Sequence, residues 1–146
     1  MTIEEIEADI KSKTQLAVKY AQKDIEEICR KHVWKFYADF SPKLYQRTYQ
    51  LPNTVLKSGV QSFGLGARGK VYFDSSQLNY DSVIRLKDGN IGFSNWSEET
   101  VFELAMNGSH GGEPGRTGHN IWESASRELN DKTDNILIKS CSKAGL

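Results

Sequence analysis

Apolar residues recur at helical spacing through the first part of the chain. The positions that carry them are Ile3, Ile6, Ile10, Ala17, Tyr20, Ala21, Ile25, Ile28, Val33 and Phe36. Thr2 followed by Glu5 is typical of a capping box, in which a hydroxyl and a carboxylate accept from the free N–H groups at a helix start. Lysines and glutamates occupy the other face, as on the solvated side of an amphipathic helix. The pattern predicts one helix of about ten turns over residues 1–39.

The predicted helix is longer than a small domain needs to cover its own sheet. Apolar surface that finds no partner within its own chain is often buried against another molecule. We therefore expect the N-terminal part of the stripe, represented by Ile6 and Ile10, to contribute to a subunit interface or to docking on another protein.

The helical period stops at Ser41 and Pro42, and residues 40–53 join the helical front to a strand-like region. Proline lacks the N–H that a helix needs and disfavours helical geometry at the residue before it. The segment crowds aromatic, cationic and apolar groups together, namely Tyr45, Arg47, Thr48 and Leu51. We expect a packed elbow in which Arg47 pairs with a neighbouring carboxylate or with the last carbonyl groups of the helix. An ordinary structured turn is the alternative.

Short runs rich in Val, Ile, Tyr and Phe follow the elbow, and glycine or polar turns bound them. They predict antiparallel strands at Thr54–Phe63, Lys70–Asp74, Asp81–Leu86 and Asn90–Phe93. Asp88 and Gly89 lie between the last two runs, and this dipeptide supplies the positive φ angles of a tight hairpin turn.

The segment GLGARG, Gly64–Gly69, separates the first two predicted strands. Its spacing imitates a kinase glycine loop and most of a P-loop. However, Val71 stands where a P-loop has Ser or Thr, and the residues after it predict a strand and not a helix. We therefore expect a flexible basic tip, in which Arg68 and Lys70 become ordered against a partner protein or DNA.

Two further helices close the chain. Ser97 can cap a short helix that Gly108 ends in the left-handed conformation. Asn120 followed by Glu123 marks the start of a C-terminal helix whose apolar spacing continues nearly to the end. A short terminal strand over Ile136–Ile138 is the alternative.

The elements predict a single α+β domain, with a long N-terminal helix, a small antiparallel sheet with hairpins, and a short helix and a C-terminal helix packed on the sheet. A length of 146 residues suits one domain. The predicted segments are the long helix (1–39), the elbow (40–53), the strands (54–94), the short helix (97–106), a glycine-rich loop (107–119) and the C-terminal helix (120–143).

The charges balance, with 19 Lys and Arg against 19 Asp and Glu. A chain without net charge lacks the overall positive field that attracts nucleic acid, so we expect any DNA contact to be local. It also lacks the excess of acidic residues that is typical of disordered chains. Cys29 and Cys141 lack metal-like spacing, and we expect both to be reduced packing residues. No apolar run is long enough to cross a membrane, and the acidic start differs from a signal peptide, which favours folding in the cytoplasm.

Residues with catalytic potential are few. His110 and His119 flank the glycine-rich loop with Glu113 between them, which could indicate a metal site or a proton-transfer pair. A structural role for both histidines is the favoured interpretation, because the spacing matches no known ligand set. Ser109 beside His110 does not orient a hydroxyl toward an imidazole as a nucleophile requires. We expect no catalytic residue, no metal and no cofactor.

Two stretches carry a resemblance to a known family. They are Pro42-Lys43-x-Tyr45-x-Arg47-Thr48-x-x-Leu51 and Phe102-Glu103-Leu104-Ala105-Met106-x-Gly108-x-His110-Gly111-Gly112. The chain resembles the small minor structural proteins of tailed bacteriophages, in particular the neck or tail-completion group at the head–tail junction. Members of that group pair a long N-terminal helix with a small sheet and a C-terminal helix. The resemblance implies a ring-forming virion component without catalytic residues.

The expected function is therefore to form an oligomeric ring that docks connector to tail, in the virion after assembly and in the host cytoplasm before it. Expected partners are further copies of the chain and other connector and tail proteins, with transient contact to genomic DNA in the channel and none to a membrane. The expected interface residues are Ile6, Ile10, Arg47, Arg68, Lys70, His110 and His119. The alternative is a small metal-dependent nuclease or hydrolase that uses His110, Glu113 and His119.

Overall fold

The computed structural model describes residues 1–39, 49–78, 83–93, 96–109 and 118–146. Its helices are α1 (Ile3–Ala38), α2 (Glu98–Met106) and α3 (Ile121–Ala144). Its strands are β1 (Val55–Lys57), β2 (Gln61–Phe63), β3 (Gly66–Arg68), β4 (Val71–Phe73), β5 (Val83–Arg85) and β6 (Ile91–Phe93). Short 3₁₀ turns lie at Leu51–Thr54 and Ser75–Gln77. The protein is α+β, with a long N-terminal helix, small antiparallel ladders and a C-terminal helix, as the sequence predicts.

The predicted capping box begins α1. The Thr2 hydroxyl accepts from the Glu5 N–H at 3.2 Å, and a Glu5 carboxylate oxygen accepts from the Thr2 N–H at 2.7 Å. The helix ends at Ala38, one residue before the predicted boundary. Residues 40–48 of the elbow, Arg47 among them, lie outside the described residues.

The described end of the elbow packs on α1. Leu51 is buried, and its N–H donates to the Tyr37 hydroxyl at 3.1 Å. Tyr49 adopts a φ of 53°, an uncommon value for a residue with a side chain, and its ring lies edge-on to Tyr37 with centroids 4.9 Å apart. The aromatic contacts hold the chain as it leaves the elbow.

One long hairpin follows, built from two successive ladders. Strand β1 pairs with β4 and β2 pairs with β3, both antiparallel. The ladders differ in register by one residue, because Ser58, Gly59 and Val60 stand opposite only Gly69 and Lys70. The expected flexible tip over Gly64–Gly69 is wrong: only Gly64 and Leu65 form the turn, and Gly66–Arg68 is strand β3.

The second hairpin, β5–β6, agrees with the sequence prediction. Val83 pairs with Phe93 and Arg85 with Ile91. Gly89 adopts a φ of 87° in the turn, as the Asp-Gly dipeptide indicates.

Both later helices begin at the predicted caps. Ser97 accepts from the Thr100 N–H, and Asn120 accepts from the Glu123 N–H at 2.9 Å. Gly108 follows α2 with a φ of 85°, the left-handed value expected there. Residues Ile136–Ile138 lie within α3, so the alternative of a terminal strand is wrong.

Helix α3 packs chiefly along α1 and runs antiparallel to it. Lys139 Nζ lies 3.9 Å from a carboxylate oxygen of Asp24, and Lys143 Nζ lies 4.2 Å from the centroid of the Tyr20 ring. The sheet contacts α3 through Trp122, whose ring centroid is 6.1 Å from that of Phe73. The C-terminal helix thus covers α1 more than the sheet.

The main core gathers at the C-terminal half of α1. It contains buried residues from all three helices, the base of the long hairpin and both 3₁₀ turns or their flanks: Cys29, Val33, Phe36, Leu51, Val55, Leu78, Ala105, Met106 and Ile121. The N-terminal turns of α1 contribute nothing to this cluster. Within the described ranges, no helix is both long and apolar enough to span a bilayer.

Candidate functional site

The N-terminal turns of α1 form a first candidate surface, here called the overhang and defined as residues 1–12. Helix α3 ends beside Lys13, since a Cβ placed on Gly145 would lie 3.4 Å from Lys13 Cε. Residues 1–9 are all exposed, and the exposed fraction is 72% for Ile3 and 43% for Ile6, whereas Ile10 is half-buried. The overhang therefore presents part of the apolar stripe without cover from the described chain.

The overhang is also acidic. It carries Glu4, Glu5, Glu7 and Asp9 against a single basic side chain, Lys11. Glu5 completes the capping box, and Asp9 pairs with Lys13 at 2.7 Å. Within the described residues, Glu4 and Glu7 take part in no ion pair.

The long hairpin lies along α1 and is anchored to it by side chains from successive turns. Gln22 Nε2 donates to the carbonyl oxygens of Ser58 and Lys70, each at 3.0 Å. Arg30 donates to the Val55 carbonyl at 3.2 Å, and Gln15 donates to the Ser62 hydroxyl. The hairpin turn therefore points toward the N-terminus of α1.

The strand alternation decides which hairpin side chains face away from α1. Val71 and Phe73 pack against the core, and a Cβ on Gly69 would lie 2.4 Å from Gln22 Nε2, so the odd-numbered positions of this strand face inward. The even-numbered positions face outward, and among them are Arg68 and Lys70.

The outer face of the hairpin is defined here as Phe63, Arg68, Lys70 and Tyr72. All four are exposed, with exposed fractions of 59% for Phe63 and 43% for Tyr72. In the described part of the chain neither Arg68 nor Lys70 forms an ion pair. Residues 55–73 contain no carboxylate, so this face is basic and aromatic.

A pair of histidines, of which one is buried, is the second candidate site. His32 Nδ1 lies 2.7 Å from Nε2 of His119, and the two rings are parallel within 2°. His32 Nε2 faces a carboxylate oxygen of Glu128 at 3.4 Å. His32 is buried, whereas His119 is half-buried and immediately precedes the Asn120 cap of α3.

The surrounding charges and burial determine the ionisation of Glu128 and His32. The Lys31 hydrogen bond, reinforced by Lys132, holds the pKa of Glu128 at about 2, so the carboxylate is ionised and can only accept. The tautomers of the two rings decide which of His32 Nδ1 and His119 Nε2 donates. His32 Nε2 and Glu128 Oε2 are buried and have no hydrogen-bond partner among the described residues. Burial lowers the pKa of His32, which keeps it neutral, although the charge on Glu128 opposes this shift.

The Glu128 carboxylate, the buried His32 ring and the His119 ring therefore lie in a row. Among the described residues, no group of three or more His, Cys, Asp or Glu side chains could hold a metal ion. In the described part of the chain, the arrangement connects His119, at the start of α3, to His32 of α1.

The sequence-predicted site residues do not come together in one place. Ile6 and Ile10 lie on the overhang, Arg68 and Lys70 lie on the outer face of the hairpin, and His119 lies against His32. Arg47, His110 and Glu113 lie outside the described residues.

Sequence reasoning missed His32 and Glu128. His32 stands directly before Val33 on the apolar stripe of α1, and a histidine on a buried helical face was the available signal. Its partner His119 is 87 residues away, a contact that helical spacing does not indicate.

Comparison with protein-family models, with curated proteins and with solved structures found no match to this chain.

Proposed function

We propose that the protein is a structural assembly protein that docks through the overhang of α1, and that it acts as a ring at the head–tail junction of a tailed phage. The single observation that carries the docking role is the exposure of Ile3 and Ile6 on helical turns that the described chain leaves uncovered. The phage setting rests on the sequence resemblance alone.

Energetics favour a partner for these turns. Helical turns without tertiary contacts are marginal in water, because most helical stability in proteins comes from packing of the apolar face. Burying an isoleucine side chain contributes about 1.5–3 kcal/mol, so covering Ile3, Ile6 and the exposed part of Ile10 would stabilise a contact appreciably. A binding partner for the overhang would therefore explain why the chain carries these helical turns.

The neutral net charge supports a protein partner over duplex DNA as the principal contact. A surface that neutralises phosphates needs clustered cations, and the overhang is acidic. The proposed ring therefore assembles by protein contacts, and DNA in the channel is at most a transient neighbour.

Complementation of a phage that lacks the gene tests the proposal. The wild-type gene should restore joined heads and tails in electron micrographs, and the Ile6→Asp, Ile10→Asp double variant should not, while its thermal melting stays close to that of the wild type. Ile138→Asp is the matched control, because Ile138 is also helical and is 68% exposed. Full complementation by the double variant, or heads and tails that join without the gene, would contradict the proposed function.

A further inference from the structure

We propose that the overhang of one copy docks on the outer face of the hairpin of a second copy of this chain. The inference rests on the proposed function and deepens it, since it names the two surfaces that meet in the ring. Three properties of the described residues support it: charge, apolar content and length.

The charges of the two surfaces are complementary. The overhang presents Glu4 and Glu7 without ion-pair partners in the described chain, and the outer face presents Arg68 and Lys70 in the same condition. Opposite charges across an interface raise the association rate and suppress wrong partners. Each surface therefore carries charges opposite in sign to those of the other surface.

Both surfaces are apolar where a contact would be most buried. Ile3 and Ile6 are exposed on the overhang, and Phe63 and Tyr72 are exposed on the hairpin. The Phe63 ring lies over Gly66, since a Cβ on that glycine would approach ring atoms to 2.8 Å. Aromatic residues and arginine are enriched in protein interfaces.

The two surfaces also match in length. The helical part of the overhang, residues 3–12, is about 15 Å long. The extended stretch from Gly66 to Tyr72 spans about 20 Å, since a strand rises roughly 3.3 Å per residue. One overhang can therefore lie along most of the outer face.

The contact would be heterologous, because it joins two different surfaces and not two copies of one surface. The inner face of the hairpin is already covered by α1 of the same chain, through the hydrogen bonds of Gln22 and Arg30. A second helix on the outer face leaves each copy with one surface still open. Such contacts repeat and close into a ring if the rotation allows.

Single-stranded nucleic acid is the competing occupant of the outer face, because cations and exposed aromatic rings also bind stacked bases. A second copy of the chain is the favoured occupant, because every copy carries the overhang, an acidic helix whose charge is complementary to the outer face. The experiment below separates the two.

A mixing experiment with two blocked variants tests the contact. Variant H, Ile6→Asp with Ile10→Asp, has a blocked overhang and an intact hairpin. Variant S, Arg68→Glu with Lys70→Glu, has an intact overhang and a blocked hairpin. Light scattering after size exclusion should find oligomers for the wild type, monomers for each variant alone, and a 1:1 dimer for the equimolar mixture with nothing larger. The dimer should form at least roughly tenfold more tightly than either variant associates with itself.

The controls use the same substitutions elsewhere. Ile138→Asp and Lys87→Glu change exposed residues outside both surfaces and should leave the wild-type oligomer intact. Circular dichroism melting should show that both blocked variants remain folded, because Ile6, Arg68 and Lys70 are exposed and Ile10 is only half-buried. If either variant unfolds, the mixing experiment is repeated with milder substitutions, Ile6→Ser in the overhang of variant H and Arg68→Ser in the hairpin of variant S.

Three results would overturn the inference. Wild-type protein that stays monomeric at all soluble concentrations would do so, and so would oligomers of variant S alone, which would indicate contact between two overhangs. Binding of an oligothymidylate to wild-type monomer, lost in variant S, would assign the outer face to nucleic acid. None of these decides the proposed function, which phage complementation tests separately.

Discussion

His32 Nδ1 and His119 Nε2 lie 2.7 Å apart and connect α1 to the residue that precedes the cap of α3. The contact joins residues 87 positions apart in the chain. Glu128 of α3 lies on the far side of His32, at 3.4 Å from Nε2. The start of α3 is thereby held at the same end of α1 as the main core, and the N-terminal turns of α1 are left at the other end.

Replacing His119 by Ala should destabilise the protein by about 1–3 kcal/mol, because Nδ1 of the buried His32 loses its hydrogen-bond partner. Urea unfolding monitored by circular dichroism measures the change. His119→Gln should lose less, since its amide can donate to the same atom. Lys87→Ala, at an exposed turn, should stay within about 0.5 kcal/mol of the wild type. Equal losses for the Ala and Gln variants would argue that the hydrogen bond contributes nothing.

Stability should fall as the pH drops below about 6.5, the ordinary pKa of histidine. Burial lowers the pKa of His32 in the native state, so the unfolded chain takes up the proton first. The contribution of His32 is therefore fully present above the unfolded pKa and is lost as the pH falls through the lowered native pKa. The groups that face it are Glu128 from α3, Lys31 and Lys35 from α1, and His119, while Lys132 lies 3.4 Å from Glu128.

The measurement for this pH dependence is the unfolding free energy at several pH values for the wild type and for His32→Leu. The wild type should lose at most about 1.4 kcal/mol per pH unit from this group, and the variant should lack that slope. Glu128 titrates separately, because its pKa is about 2 and the stability that its ionised form contributes is lost only in a more acidic range. A wild type that gains stability on acidification near pH 6 would mean that the native pair binds the proton.

Gly69→Ala should destabilise the hairpin, because the added Cβ would lie 2.4 Å from Gln22 Nε2. Gln22 is buried and donates to two carbonyl groups, so its displacement should cost about 1–3 kcal/mol. Gly59→Ala is the matched control within the same bulge, since nothing lies within 4 Å of its added Cβ. That variant should be neutral or more stable by up to about 1 kcal/mol. Thermal melting compares the two, and equal melting temperatures would contradict the anchoring role of Gln22.

Local rules predicted the helices and the second hairpin well. The caps at Thr2, Ser97 and Asn120 and the left-handed glycines at 89 and 108 act within a few residues, so their pattern is visible in the sequence. These features determine where elements begin and end.

Contacts between distant residues could not be predicted in the same way. Gly66 and Gly69 indicate flexibility in isolation, but one accommodates the Phe63 ring and the other the Gln22 side chain. The contact between Gly69 and Gln22 joins residues that are far apart in sequence. The sequence did not indicate a role for His32 for the same reason, because its partners His119 and Glu128 contact it only when α3 packs along α1.

Hydrogen exchange of the overhang tests the central claim most directly. Amides of residues 3–9 should exchange fast in the dilute monomer, because all of these residues are exposed. In the assembled oligomer or the completed particle, the same peptide should exchange at least roughly tenfold more slowly, while the exposed turn at 87–89 stays unchanged as an internal control. Equal exchange of the overhang in monomer and assembly would contradict the claim that α1 docks through its N-terminal turns.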